Sequence, residues 1–134
     1  MKVVEEMVSS ETEYVSNLDH VIRGYLEKCE LNKELFSSEL LSLLFSNIRN
    51  LFEIHLRLLR RLKRAVRENS VAAISRMFLM NRKLFELYRE YCFNFDSANE
   101  KLIQIQNNKN YSSFFNHCRS DDQRYFTSWL CFRF

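Results

Sequence analysis

Apolar residues recur at intervals of three and four through most of this chain, which is the spacing of one face of an α-helix. The first such segment runs from about Val3 to about Cys29. Its apolar stripe consists of Val4, Met7, Tyr14, Leu18, Ile22 and Tyr25. The run from Ser9 to Thr12 resembles a capping sequence, but the stripe begins before it. We therefore predict that this run lies inside the first helix.

A second helix is predicted from about Glu39 to Glu68, because Ser37-Ser38-Glu39 suits a helix start. This segment is the most strongly amphipathic in the chain. Its apolar face carries Leu41, Leu44, Ile48, Leu51, His55, Leu58, Leu59, Leu62 and Val66. Its opposite face carries Arg57, Arg60, Arg61, Lys63, Arg64 and Arg67. We interpret the basic face as solvated, with contact to acidic lipid or an acidic partner as the alternative.

A third helix is predicted from about Val71 to Gln106, after a break at Asn69-Ser70. Its apolar positions, interpreted as core, are Ile74, Met77, Phe78, Leu84, Phe85, Leu87, Tyr88, Tyr91, Phe95, Ala98, Leu102 and Ile105. A short apolar piece follows at Tyr111 to Cys118, and the aromatic segment Phe126 to Phe134 is expected to pack onto the bundle. The pattern predicts an all-α fold, an elongated bundle of long helices forming one domain over residues 1–134.

Glu11 lies near the middle of the first apolar stripe. A carboxylate among apolar neighbours is costly unless it is paired. Its partner is therefore either a side chain of this bundle, such as a lysine or arginine, or a group on another protein. His55 lies mid-stripe on the second helix, where we interpret it as a core histidine with satisfied hydrogen bonds.

Composition removes several other function classes. One Gly and no Pro in 134 residues disfavour folds rich in strands and tight turns. A net charge of +3 is too small to argue for nucleic acid, and no apolar run is long enough to span a membrane. The histidines and cysteines lack metal-ligand spacing and there is no glycine-rich phosphate loop, so neither a metal nor another cofactor is predicted. The scattered cysteines suggest thiols in a reducing compartment, and hence a cytoplasmic protein.

Four stretches together resemble a known family. The run from Ser10 to Leu18 resembles the first signature of Dbl-homology domains, the Rho-type guanine-nucleotide exchange factors. That signature is Thr-Glu, then Tyr-Val three residues on, then Leu after three more, and Glu11, Tyr14-Val15 and Leu18 stand at this spacing. Leu44 to Ile48, followed by His55 and Leu58-Leu59, resembles the second signature. The helix containing Met77, Phe85, Tyr88, Tyr91 and Ala98, and then Phe114-Phe115, resembles the segments that follow. The matches stand in the family's order over nearly the whole chain.

The chain departs from the family near its C-terminal end. In the family, a Ser-aromatic-Leu sequence leads into a third signature, Ile-x-Pro-x-Gln-Arg, and then a long final helix. Here Ser128-Trp129-Leu130 is followed by Cys131-Phe132-Arg133-Phe134, and the third signature is not in the sequence. The resemblance therefore implies a partial Dbl-homology domain that lacks its C-terminal helices.

The resemblance also implies a mechanism and a partner. Exchange factors of this family bind a Rho-family small GTPase most tightly when its nucleotide is absent, and they make no covalent bond, so no catalytic residues in the enzymatic sense are expected. A glutamate of the first signature contacts the first switch of the GTPase, and Glu11 matches that position. Side chains of the third signature act on the second switch. We therefore expect a weak or inactive exchange factor.

The alternative is a non-catalytic helical module or decoy that binds a GTPase or another protein partner. A structural coiled coil is weaker as an explanation, because the apolar stripes do not hold a strict seven-residue repeat. No transmembrane segment is expected, although peripheral membrane contact is compatible with the basic face of the second helix. The sequence does not identify the GTPase.

Overall fold

The computed structural model of the chain describes residues 2–79 and 82–121, and all regular structure in these ranges is helical. The elements are α1 (Lys2–Val21), a π-helical turn (Ile22–Leu26), α2 (Glu27–Leu31), α3 (Ser38–Phe45), α4 (Ile48–Arg67), α5 (Val71–Leu79), α6 (Arg82–Gln106) and α7 (Lys109–Asp121). The predicted all-α bundle is confirmed. The predicted packing of Phe126 to Phe134 concerns residues outside the described ranges.

The first predicted helix is present and is slightly longer than expected. α1, the π-helical turn and α2 follow one another without a gap, so the helical path runs from residue 2 to residue 31. The run from Ser9 to Thr12 lies inside α1, as predicted, and the Thr12 hydroxyl donates to the Val8 carbonyl at 2.7 Å. In the π-helical turn, Ile22, Tyr25 and Leu26 are buried. The turn therefore lies directly against the core.

The prediction of one helix from Glu39 to Glu68 is wrong, because the chain breaks between α3 and α4. Ser37 caps α3 as expected by accepting a hydrogen bond from the Leu40 amide at 3.1 Å. Ser46 then adopts φ 51°, in the left-handed region that ends a right-handed helix. Asn47 follows it, and α4 begins at Ile48. The break reorients the chain in the middle of an otherwise continuous helical pattern.

Side chains of α6 hold this break in place. The Asn47 side-chain amide donates to the Leu87 carbonyl at 2.9 Å and to the Glu90 carboxylate at 3.3 Å. The Asn94 amide donates to the Ser46 hydroxyl at 3.3 Å. Asn47 is buried, so these bonds replace water that it cannot reach. The contacts fix α6 against the α3–α4 junction.

The third predicted helix is described as two helices, α5 and α6, with residues 80–81 between them outside the described ranges. One predicted core position of α6 is wrong, since Phe85 is 74% exposed. On α4, Val66 was expected on the buried face but is 36% exposed, whereas its neighbour Ala65 is buried. A one-residue rotation of the buried stripe near the end of α4 accounts for the second difference.

The core forms a series of buried clusters along the bundle. At one end, Val4 of α1 packs with Leu62 and Ala65 of α4 and Met77 of α5. In the middle, Leu51 packs with Tyr88 and Tyr91 of α6. The largest cluster joins the π-helical turn and α2 to α3, to the C-terminal half of α6 and to α7. Its members include Leu18, Ile22, Tyr25, Cys29, Phe36, Phe45, Ile48, Leu102 and Phe115.

The described residues also bear on two predictions, one about the state of the cysteines and one about membrane-spanning segments. Cys29, Cys92 and Cys118 are thiols rather than disulfides; the first and last are buried, and Cys92 is exposed. Burial raises the pKa of the Cys29 thiol, so it remains protonated. Of the helices described, none is long and apolar enough to cross a membrane.

The Asn47 contacts yield a test of the fold. Replacing Asn47 with Ala removes a part-buried hydrogen bond between residues 40 apart in the sequence, from the Asn47 amide to the Leu87 carbonyl. We expect the free energy of unfolding to fall by about 1–3 kcal/mol, measured by urea denaturation. Asn50→Ala is the matched control: Asn50 is exposed on the first turn of α4, and its loss should cost less than about 0.5 kcal/mol. Equal losses in the two variants would contradict this account of the junction.

Candidate functional site

Glu11 finds its partner within the bundle, and that partner is His55. α1 and α4 run antiparallel, since Val4 packs by Leu62 while Glu11 faces His55. The Glu11 Oε1 and His55 Nδ1 atoms are 2.5 Å apart. The Glu11 side chain is 18% exposed and that of His55 is 8% exposed. Glu11 and His55, each a polar residue within the apolar stripe of its own helix, thus pair with each other.

Two tyrosines extend this pair into a chain of hydrogen bonds. His55 Nε2 lies 2.5 Å from the Tyr88 hydroxyl, and the Tyr88 and Tyr14 hydroxyls are 2.5 Å apart. The Tyr14 ring also packs against the imidazole, with centroids 4.6 Å apart, and the Tyr88 ring meets it edge-on at 5.5 Å. Side chains of α1 and α6 therefore hold the imidazole by hydrogen bonds at both nitrogens and by contacts with two aromatic rings.

The chemistry of the groups fixes the direction of the first bond. An ionised carboxylate only accepts hydrogen bonds, so His55 Nδ1–H donates to Glu11. With a neutral imidazole, Nε2 accepts from Tyr88, which accepts from Tyr14. With an imidazolium, Nε2 donates to Tyr88, which donates to Tyr14. Because hydroxyls both donate and accept, the Glu11–His55 bond survives in either protonation state.

Burial raises the pKa of both tyrosine hydroxyls, Tyr14 and Tyr88. Desolvation raises the pKa of Tyr14, and the nearby Glu11 charge adds to the increase. Desolvation likewise raises the pKa of Tyr88, with further contributions from its hydrogen bond to Tyr14 and from the Glu11 charge. Both hydroxyls therefore keep their protons well above neutral pH, and both remain available to the chain of hydrogen bonds.

Glu11 lies in the wall of an open apolar groove of about 750 Å³. Helices α1, α4, α5 and α6 form the groove, which is lined by Val3, Glu6, Met7, Ser10, Glu11, Tyr14, His55, Leu58, Leu62, Met77, Leu84, Phe85 and Tyr88. Glu11 thus presents a carboxylate, already bonded at one oxygen, beside apolar side chains that a partner could cover. Within the described ranges, no group of three or more potential metal ligands is found.

Part of this site follows from the sequence and part does not. Glu11 lies on the predicted stripe, and the interpretation of His55 as a core histidine with satisfied bonds is confirmed. The suggested lysine or arginine partner is wrong, because a histidine fills that role. Tyr88 was expected to be core only, and its link to His55 was missed. Two polar residues, each central in the apolar stripe of its own helix, were the signal that could have revealed the pair.

The raised pKa of Tyr88 predicts a loss of stability in alkali. The contribution of Tyr88 to the free energy of unfolding is fully present below the pKa that the phenol has in the unfolded chain. This contribution is lost as the pH rises above that pKa, because the phenol then ionises in the unfolded chain and not in the folded one. From about pH 10 upward this loss should approach about 1.4 kcal/mol per pH unit. Tyr88→Phe should therefore flatten the decline in unfolding free energy, measured by urea denaturation across the alkaline range. Leu59→Ala, a core variant that keeps every tyrosine, should retain the original slope, and an unchanged slope in Tyr88→Phe would contradict the prediction.

Comparison with known proteins agrees with the resemblance of the motifs. The RhoGEF domain family matches residues 3–131 of the chain. Human Rho guanine nucleotide exchange factor 9 is 29% identical over 119 residues, which are 87% of this chain and 23% of that protein. Human Rho guanine nucleotide exchange factor 4 is 29% identical over 119 residues, 87% of this chain and 17% of that protein. The chain thus spans less than a quarter of the length of these curated relatives. The chain belongs to the RhoGEF, or Dbl-homology, domain family.

Proposed function

We propose that this chain carries the first-signature half of a nucleotide-exchange site for a Rho-family small GTPase, with Glu11 as the contact. The observation that supports it most directly is the position of Glu11, a carboxylate held at the edge of an open apolar groove. The names of the two relatives, both Rho guanine nucleotide exchange factors, agree with this class of partner.

The proposed mechanism is one of differential binding, without a covalent step. A protein that binds the nucleotide-free GTPase more tightly than the loaded form shifts the population toward the empty state. Glu11 would accept a hydrogen bond from the first switch of the GTPase. Such a charge-assisted bond stabilises the complex by about 1.5–3 kcal/mol.

His55 has a positioning role in this proposal. A glutamate side chain has several rotatable bonds, and immobilising it on binding costs about 0.5–1.5 kcal/mol. Here the His55 Nδ1–H bond fixes one carboxylate oxygen before any partner arrives. Tyr14 and Tyr88 in turn fix the imidazole. The GTPase would therefore meet a carboxylate that is already oriented.

The third signature is not in the sequence, so we propose that residues 1–134 are a partial exchange domain that acts weakly or not at all by itself. In the family pattern, the third signature acts on the second switch, and no residue described here takes that part. A cytoplasmic setting belongs to the same proposal and is compatible with the thiols of Cys29, Cys92 and Cys118.

Release of a fluorescent guanine nucleotide from a panel of Rho-family GTPases tests the function. We would compare the chain with a chimera in which the residues after Leu130 come from the corresponding region of human Rho guanine nucleotide exchange factor 9. Acceleration by the chimera, with little or none by the chain, is the expected result. If neither accelerates release from any member of the panel, the exchange function is wrong.

The open apolar groove favours a second candidate, a non-catalytic module that binds a GTPase or another protein without exchange. The same panel, immobilised in nucleotide-free and loaded forms, separates the two functions. Stable binding that leaves nucleotide release unchanged in both the chain and the chimera would favour the second candidate.

Replacing Glu11 with Ala tests the contact itself. In the chimera, the loss of the carboxylate should lower the exchange rate constant per unit concentration about 10- to 100-fold, since about 1.4 kcal/mol corresponds to tenfold. Helical circular dichroism should change little. Glu13→Ala is the matched control: Glu13 is exposed, lies two residues along α1 and is not part of the groove. Equal rates for Glu11→Ala and the parent chimera would remove Glu11 from the site.

Two substitutions at His55 separate positioning from general stability. Asn can place an amide donor near the position of the imidazole Nδ1, whereas Gln places one nearer that of Nε2. We expect His55→Asn to keep more exchange activity than His55→Gln, by about threefold to tenfold, because only the first restores a donor to Glu11. Leu59→Ala controls for lost stability alone and should leave exchange nearly unchanged under folding conditions. Equal losses in the two His55 variants would contradict the positioning role.

A further inference from the structure

A small basic cleft lies between α4, α5 and α6, next to the Glu11 groove, with which it shares Leu58, Met77 and Leu84. It encloses about 140 Å³ and is lined by Ile54, Arg57, Leu58, Arg61, Met77, Lys83 and Leu84. Three of these seven residues are cations, and none is a carboxylate. Within the described ranges, no hydrogen bond or ion pair engages the side chains of Arg57, Arg61 or Lys83. Three like charges therefore surround one cleft without a counter-charge from its lining.

The charge extends beyond the cleft along α4. Arg60 and Arg64 are exposed on the same side of the helix as Arg57 and Arg61, at spacings of three and four residues. Lys63 and Arg67 widen this face, and all six cations are exposed. Glu53 and Glu68, at the two ends of the face, and Glu86 near Lys83 are the carboxylates closest in sequence, and each is exposed to solvent. The cleft is thus the recessed part of a longer basic surface.

We propose that the basic cleft and the α4 face bind the surface of an anionic phospholipid membrane, with one headgroup phosphate in the cleft. The size of the cleft favours a single phosphate over a larger anion. The extended row of exposed cations favours a broad anionic surface over an isolated small ion. The aliphatic parts of arginine and lysine pack on the apolar floor of Ile54, Leu58 and Met77 while their charged ends face the phosphate.

Sedimentation of the full 134-residue chain with vesicles tests this site. Binding to mixed phosphatidylcholine–phosphatidylserine vesicles should be measurable and should weaken as salt is raised, and binding to pure phosphatidylcholine should be much weaker. The triple variant Arg57→Ala, Arg61→Ala, Lys83→Ala should lower the partition coefficient on the mixed vesicles about 100-fold. Helical circular dichroism of the variant should match that of the parent, because all three positions are exposed.

A charge-matched control keeps the result specific. The variant Lys33→Ala, Lys101→Ala, Lys109→Ala removes the same net charge at exposed or half-exposed positions outside the cleft. It should keep most of the binding. Equal losses in the two triple variants would overturn the cleft as a site and leave only general attraction by charge. The proposal would also be overturned if the parent chain did not bind the mixed vesicles. Tighter binding to soluble polyglutamate than to vesicles would overturn it too, and would indicate an acidic protein partner.

Discussion

The bond between Glu11 and His55 is the constraint around which the middle of this bundle is organised. A buried carboxylate and a buried imidazole would each be costly alone, and they meet because α1 and α4 are antiparallel in this register. Sliding one helix by a turn would place each of them opposite an apolar side chain. The pair therefore specifies the register of the two helices, in addition to any free energy it contributes.

The hydrogen bond between Tyr88 and His55 also positions α6. Because Tyr88 must lie within hydrogen-bond distance of His55, α6 is fixed beside α4 at that level of the bundle. The amide of Asn47, the residue before α4, holds α6 a second time through its bonds to the Leu87 carbonyl and the Glu90 carboxylate. Tyr88, bonded to His55, and Leu87 and Glu90, bonded to Asn47, thus hold one turn of α6 against the rest of the bundle. Tyr88 also lines the groove beside Glu11, so the same contacts position part of its wall.

Much of the fold could be predicted from the period of the apolar residues, since the stripe of α1 was expected correctly and that of α4 was correct except at Val66. The break at Ser46 could not, because its cause is distant in sequence. Asn47 is bonded to the backbone of residue 87, and the helical pattern continues unchanged through the break. Phe85 was placed in the core because it is apolar, yet it lies at the rim of a groove that only the packed helices create. For the site, the sequence singled out Glu11 and His55 separately, and only the packing of two helices joins them.

The two proposed surfaces adjoin each other along α4. His55 faces Glu11 across the groove, whereas Arg57 and Arg61 face the basic cleft. Leu58, Met77 and Leu84 line both cavities, so a thin apolar wall separates them. The two occupants differ in what they must supply, a hydrogen-bond donor for Glu11 and an anion for the arginines, so neither surface can substitute for the other.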